Sequence, residues 1–445
     1  MVKTDKSNEA WKELFNKYDI LNNVKKNGCF EIKASQIKEF REPRLMAKWD
    51  SYESLPSIFK KNKINILPIS RGSYILSDFK LYQALENSFT TNTKMCKVKL
   101  PKLESVDIRN ITSESNAINV LLLSDILDNF LNEEGNVSTF NGRMGTGEFK
   151  FKVDRVNRDP FEVEVDKAQC EIDGGMENKN SVVIMEAKNV VNNDFHIRQL
   201  YYPYRLWCNR VNKPIRLVFS VYSNQIFRLQ EYTFTDTNNY SSIKLIKENY
   251  YSLEDTEITM EDLFKVYQST RVETDDNTNH QSKDDAPFIQ ADSFERVISL
   301  LEALYKEDLT TVQIAEVMEF DIRQSDYYYN AGKYLGIFEK YTDYEDSDED
   351  GNTLIKVRLT KLGKDIAKKT YKDRQLALVQ LMLKHKIFSE LFFELYSTGK
   401  LPSKDNIQAK MRKYNVCKEG VVVRRSSSVQ GWLNWIISLL NIEEV

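Results

Sequence analysis

The chain is poor in the residues that most compact reaction centres need. Its 445 residues include three histidines and five cysteines, and Cys29, Cys96, Cys170, Cys208 and Cys417 form no CxxC pair. This spacing argues against a structural zinc site and against a disulfide framework, and it fits reduced thiols in a cytoplasm. Without GxSxG and with so little histidine, neither a triad hydrolase nor a histidine-rich metal enzyme is attractive. GxxxxGK[ST] is absent as well, so no nucleotide cofactor is expected. The longest apolar run, Ile118–Leu127, is cut by Ser124 and Asp125, well short of the roughly 18 residues of a membrane span. Met1–Asp19 interleaves lysines with acids, so no signal peptide is expected.

With 15 glycines, 9 prolines, 41% hydrophobic and 29% charged residues, the chain has the composition of packed cores rather than of a disordered or fibrous protein. Its length allows two to four domains. The net charge of −3 hides an asymmetry: Lys356–Arg425 holds 18 lysines and arginines against 6 acids. A basic module facing phosphates, attached to a more acidic body, would produce this split, as would a solvated helical surface. The polar stretch Arg271–Asp292 reads as a linker. The expected division is an N-terminal α+β region over 1–105, a central domain over 106–270, that linker, and two helical modules over 293–375 and 376–445.

The central domain carries the most informative order of elements. Glu114–Asn132 has helical spacing, Glu148–Val153 and Phe161–Asp173 alternate as strands, and Ser181–Lys188 is a short apolar strand. Asp194–Asn209 is expected to be helical, followed by strands Pro214–Tyr222 and Gln225–Phe234. That order implies a mixed central sheet flanked by helices. Within QCEIDGGMENKNSVVIMEAKN, period two puts Val182, Ile184, Glu186 and Lys188 on one face of a strand and Val183, Met185 and Ala187 on the other. An apolar strand should not end with a carboxylate and an ammonium on its Ile184 side unless they meet something charged. Asp173 is expected at the end of the neighbouring strand, before a turn through Gly174–Asn180. Two such carboxylates suit Mg²⁺, which favours oxygen ligands and keeps waters and substrate phosphate in its shell. Lys188 is placed to orient or help deprotonate an attacking water. A surface hairpin ending in a Glu–Lys pair has the same local pattern.

Asp173, Glu186-Ala187-Lys188 and the preceding Glu171-Ile172 resemble the PD-(D/E)xK nuclease superfamily, and specifically type II restriction endonucleases, over about Glu114–Phe234. Ile172 stands where the superfamily has proline. The resemblance implies Asp173 and Glu186 as ligands of Mg²⁺, with one or two ions left open, and Lys188 as the water-orienting base. It implies a further acid from the preceding helix, with Glu114 as the candidate and Asp125 and Asp128 behind it. Glu171 is a second possible ligand. Gln199, and less directly Arg198, would approach the active site from the following helix. His196 is given no role.

The C-terminal order is three helices (Phe294–Tyr305, Val312–Phe320, Ile322–Leu335) and two strands around the acidic loop Asp343–Asn352. It resembles a winged helix-turn-helix. Arg323, Gln324, Ser325, Asn330 and Lys333 would be the DNA-facing residues of its third helix, although the acidic wing also suits a protein-binding module. In Val421–Ile436, Arg424, Arg425, Ser426 and Ser427 read as a helix start poised for phosphate, while Trp432 and Trp435 read as core. Arg41, Arg44 and Arg71 sit among aromatics near the N-terminus and suit a DNA-contacting rim.

The sequence therefore points to a cytoplasmic, Mg²⁺-dependent endonuclease that recognises double-stranded DNA, working as a homodimer on a palindrome, without a membrane or nucleotide cofactor. A methylation-dependent endonuclease and a non-catalytic winged-helix DNA-binding regulator are the alternatives.

Overall fold

Apolar alternation between Val137 and Ser252 builds six strands of a mixed eight-stranded sheet, and Lys94–Lys97 and Glu443–Glu444 supply the other two. The computed structural model describes residues 6–85, 94–98, 103–106, 111, 113–254, 256–272, 286–347, 351, 353–440 and 443–444. The central elements are α1 (Glu114–Leu123), α2 (Ile126–Leu131), β1 (Val137–Gly145), β2 (Gln169–Glu177), β3 (Val182–Lys188), α3 (Arg198–Cys208), β4 (Ile215–Ser223), β5 (Ile226–Phe234) and β6 (Ile243–Ser252). In space the strands run Glu443–Glu444, Lys94–Lys97, β6, β5, β4, β3, β2, β1. The β3–β4 pair is parallel, whereas β2 pairs antiparallel with both β3 and β1.

Every residue of β3 is buried, because both faces of the strand are covered. On one face Ile184 packs with Leu217, Phe219 and the α3 residues Leu200, Tyr201 and Leu206. Val183, Met185 and Ala187 face Ile118, Leu121 and Phe130 of α1 and α2. Each such fully buried large side chain contributes about 1.5–3 kcal/mol. Gly175 of β2 is required by close approach, since a Cβ there would stand 2.2 Å from the Phe140 ring.

Several elements differ from the sequence reading. Asp173 lies in the middle of β2, which runs on to Glu177; the turn starts only at Asn178, where Asn178 Oδ1 accepts from the backbone N–H groups of Asn180 and Ser181. The helix expected over Glu114–Asn132 is two helices, because the Ser124 hydroxyl donates back to Val120 O and Asp125 takes a left-handed backbone (φ 55°). The helix expected from Asp194 begins at Arg198. Asp194–His196 is instead a strand paired with Tyr82–Ala84. Near the N-terminus, where Trp11, Leu14, Phe15, Tyr18 and Leu21 give Asn8–Asn22 the spacing of one amphipathic helix, Asp19 (φ 46°) separates two, Lys6–Lys17 and Ile20–Asn27. Strand Lys94–Lys97, read from sequence as part of the N-terminal region, joins the central sheet beside β6.

The C-terminal part comprises α4 (Phe294–Lys306), α5 (Thr311–Val317), α6 (Ile322–Tyr334), the hairpin β7 (Phe338–Ser347) and β8 (Thr353–Leu359), then α7 (Lys361–Ala367), α8 (Tyr371–Leu383), α9 (Lys386–Thr398), α10 (Lys404–Tyr414) and α11 (Glu419–Ser438). Leu309–Thr310 adds a third strand on β8. Much of the expected linker, 273–285, and the wing residues Asp348, Glu349 and Asp350 lie outside the described residues. The linker's end is core: Phe288, Ile289 and Ala291 are buried, and Trp432 Nε1 donates to Ala291 O. The chain is thus a mixed α+β protein. Among the described residues no helix is long and apolar enough to cross a membrane.

Candidate active site

The register of β2 against β3 ends at Met185 opposite Gly174, which carries the next residues, Glu186 and Asp173, alongside each other. Asp173 Oδ2 accepts from the Ala187 backbone N–H at 3.0 Å. Gln199, on the first turn of α3, donates from Nε2 to Glu186 Oε1. Glu186 Oε1 is also 3.2 Å from Lys188 Nζ. Asp173, Glu186, Lys188 and Gln199 are therefore brought together as the alternation of β3 and the position of α3 require.

Two acids that sequence reasoning missed complete the cluster. Glu319, between α5 and α6, places Oε1 3.3 Å from Lys188 Nζ, and Asp50 places Oδ2 at 3.8 Å. Arg198 reaches Asp50 rather than the paired carboxylates, at 3.7 Å, and Lys48 stands at the same distance from Asp50. Glu114, at the start of α1 after the Ser113 cap, lines a cleft of about 340 Å³ together with Lys188 and Glu319.

The charges decide the protonation states. Burial opposes a charge on Lys188, but Glu319, Glu186 and Asp50 outweigh it and hold the ammonium well above the usual lysine range. For Asp50 burial is likewise outweighed, by Lys188, Arg198 and Lys48, and its carboxyl is held low. Burial raises Glu186 well above the carboxylate range, and Asp173 and Asp50 push it the same way. Glu114 is raised by burial, with Asp173 and Glu319 adding to it. Carboxylates crowd one lysine here, and a bound cation would relieve that repulsion.

The remaining expectations divide. Asp125 sits in a left-handed conformation at the break between α1 and α2, and Asp128 accepts from the Gly135 and Asn136 backbone in the connection from α2 to β1, so both serve these connections rather than the site. Glu171 is spoken for by Arg143 at 3.3 Å and Lys48 at 3.8 Å. Further along α3, Arg205 is no part of the site: it is buried, donating to Lys150 O and Thr237 O. On α6, Arg323 is exposed and Gln324, Asn330 and Lys333 are half-buried. Ser325 is corrected: it is buried and its hydroxyl donates to Thr311 O, tying α6 to α5. The expected helix start at Arg424 is also corrected. The helix α11 begins at Glu419, so Arg424, Arg425, Ser426 and Ser427 lie inside it, beyond its free N–H groups. Arg424 and Ser427 are exposed and Arg425 is half-buried, but Ser426 is buried and donates to Val423 O. Arg41 donates to Ser7 Oγ, whereas Arg44 and Arg71 are exposed.

No motif foretells Asp50 or Glu319, because tertiary packing alone brings them to Lys188. Glu319 had one local signal, an acid at the end of a short helix where the chain reverses.

His196 is a core residue. Its Nδ1 accepts from the Arg198 backbone N–H and meets the Tyr240 hydroxyl, each at 3.1 Å. Burial, helped by Arg198, pushes its pKa down to about 3. The unfolded chain takes up this proton near pH 6.5 and the folded chain does not, so the stability is intact above pH 6.5 and is lost as pH falls. At pH 5 the loss is about 2 kcal/mol. Urea unfolding at pH 7 and pH 5 checks this: wild type should lose about that much more than His196→Gln, and an equal loss in both would contradict it.

Three family models match the chain, each described as a domain of unknown function: DUF6996 over residues 8–76, DUF6997 over 77–252 and DUF7226 over 296–441. No curated protein and no solved structure matches it. The cluster draws on all three matched segments: Asp50 from the first, Glu114, Asp173, Glu186, Lys188 and Gln199 from the second, and Glu319 from the third.

Proposed function

We propose that the chain is a Mg²⁺-dependent endonuclease of the restriction type, hydrolysing phosphodiester bonds of double-stranded DNA on a PD-(D/E)xK core. The observation that carries this reading is the convergence of Asp173, Glu186 and Lys188 from adjacent buried strands, with Gln199 fixing Glu186. The order α4, α5, α6, β7, β8 supports a winged helix as the DNA-reading module, with Arg323, Gln324, Asn330 and Lys333 on its third helix.

The donor set fits the metal. Asp173 Oδ1 and Glu186 Oε2 accept no hydrogen bond among the described residues, which leaves one hard oxygen on each strand. Among the described residues no three acids, histidines or cysteines stand close enough to hold a metal ion. A pair of carboxylates leaves the rest of the shell to water and phosphate, as Mg²⁺ favours. When bound, Mg²⁺ supplies charge stabilisation at the phosphate and lowers the pKa of a water. Asp173 and Glu186 would hold it. The Ala187 N–H and the Gln199 amide fix the two carboxylates before substrate arrives, so orientation is already in place. Lys188, as a charged ammonium, orients the attacking water and donates toward the phosphate oxygen on which charge grows. The water oxygen bonds to phosphorus and gives up a proton to solvent, the bond to the leaving sugar oxygen breaks, and that oxygen takes a proton from solvent.

The test is digestion of plasmid and phage DNA, methylated and unmethylated, with the purified chain and Mg²⁺. Discrete fragments are expected, lost on chelation and reduced at least about 10²-fold in Glu186→Ala. Equal cutting by wild type and variant would remove the site assignment. Cutting of methylated DNA alone would select the methylation-dependent enzyme, and salt-sensitive duplex binding without cleavage in any divalent metal would select the regulator.

A further inference from the structure

We infer that the turn between α5 and α6 is an internal plug, whose Glu319 carboxylate holds the active-site lysine closed until that turn is drawn away. The consequence of opening deepens the nuclease reading and rests on it; the closing contact itself does not.

The backbone at Glu319 is the first observation. Met318 N–H bonds to Ile314 O and Phe320 N–H to Ala315 O, so α5 ends in a tight reversal with Glu319 at its left-handed position (φ 51°). Glycine is the usual residue there because a side chain is strained in that conformation. A glutamate held at this position points to a task for its side chain. Both its oxygens are engaged: Oε1 lies 3.3 Å from Lys188 Nζ, and Oε2 accepts from Asn192 Nδ2 at 2.8 Å.

The second observation is the occupancy of Lys188. An ammonium has three N–H groups, and three carboxylates, Glu186, Glu319 and Asp50, surround this one within 3.8 Å. Glu186 and Glu319 stand within hydrogen-bonding distance and Asp50 at ion-pair distance, so the ammonium is directed at protein carboxylates rather than at a water or a phosphate oxygen. The adjoining cleft is lined by Glu114, Glu302, Glu307 and Glu319 and by Lys306 and Arg374, with Arg374 paired to Glu302 at 2.7 Å, so Glu319 is the acid there that reaches Lys188.

The two outside acids are held differently. Asp50 is anchored through its backbone, whose carbonyl accepts from His196 N–H at 2.8 Å, next to the Tyr82–Ala84/Asp194–His196 ladder. The turn carrying Glu319 touches the rest of the site through side chains: Asn192 on Glu319, and Lys60 on Asp321 at 3.7 Å with both side chains partly exposed. The Lys60–Asp321 contact, with both side chains partly exposed, exchanges readily for water. The turn leads directly into α6, whose exposed Arg323 is a candidate DNA contact. Engagement of α6 by a duplex would pull Glu319 from Lys188, coupling DNA reading to assembly of the site.

Amine-reactive footprinting of Lys188, read by mass spectrometry on the full chain, tests the plug without relying on cleavage; plasmid nicking in Mg²⁺ is measured in parallel. The variants are Glu319→Gln, which keeps the shape, and Glu319→Gly, which removes the carboxylate while suiting the left-handed backbone, so neither should unfold the turn. The plug predicts a rise in Lys188 labelling of about tenfold in both variants and a severalfold faster nicking of plasmid. Unchanged labelling, or labelling that rises while nicking falls as far as in Glu186→Ala, overturns the inference and makes Glu319 part of the machinery. Raised labelling with no nicking by any variant, wild type included, upholds the closing contact and sinks the nuclease reading instead.

Discussion

If the proposed nuclease reading holds, Lys188→Met should lose Mg²⁺-dependent cleavage by about 10²–10³-fold, the cost of removing one preorganised donor from a site where charge develops. The same change should be felt in stability. Lys188 is the cation shared by Glu186, Glu319 and Asp50, and without it these carboxylates face one another away from water. Breaking a buried pair by deleting one partner costs about 3–5 kcal/mol. Lys188→Arg separates the two effects. It keeps the positive charge, so thermal unfolding should stay within a few degrees of wild type, whereas its wider planar head cannot sit where the ammonium sits and cleavage should still fall. Cleavage rates and unfolding transitions of both variants, with and without Mg²⁺, check this. A Lys188→Met protein that folds as well as wild type and cuts at the wild-type rate would remove the lysine from both roles.

How much of the site is legible in the sequence depends on how local each signal is. The β3 pattern is legible because period two is enforced by the backbone: once Ile184 faces the core, Glu186 and Lys188 must lie on that side too. Gln199 is legible as one turn into the next helix. The strand expected over Phe161–Asp173 is two, Phe161–Asp166 in a separate hairpin with Glu148–Val153 and β2, and Asp173 lies inside β2 rather than at a strand end, because Gly174-Gly175 reads as a turn whereas Gly175 is there to admit the Phe140 ring. The strand Asp194–His196 reads as helix because its partner, Tyr82–Ala84, lies more than a hundred residues away and leaves no trace in the local pattern. Arg424–Ser427 looks like a helix start because serines favour caps, yet the apolar stripe Val422–Ile436 extends the helix back to Glu419. Asp50 and Glu319 are the least legible, since each comes from a separate unit and only the docking of all three brings them to Lys188.

That docking has a measurable centre away from the chemistry. Arg296 is 2% exposed, donates from Nη1 to Glu53 Oε2 at 2.6 Å and from Nε to Val191 O at 3.0 Å. Glu53 accepts in turn from Asn193 Nδ2 at 2.8 Å. One carboxylate from the N-terminal segment therefore neutralises a buried guanidinium of α4 beside the loop after β3. Glu53→Ala leaves that guanidinium uncompensated, and the expected loss is about 3–5 kcal/mol. Glu53→Gln retains an acceptor for Arg296 and should lose less. Lys60→Ala removes only the partly exposed contact to Asp321 and should change stability by under about 1 kcal/mol. Urea unfolding followed by tryptophan fluorescence, which reports on Trp432 and Trp435 in the core around α4, gives the order Glu53→Ala, Glu53→Gln, Lys60→Ala from largest to smallest. If Glu53→Ala unfolds with Lys60→Ala, the buried pair does not join the units, and Glu319 would have to be held near Lys188 by the apolar contacts of α4 alone.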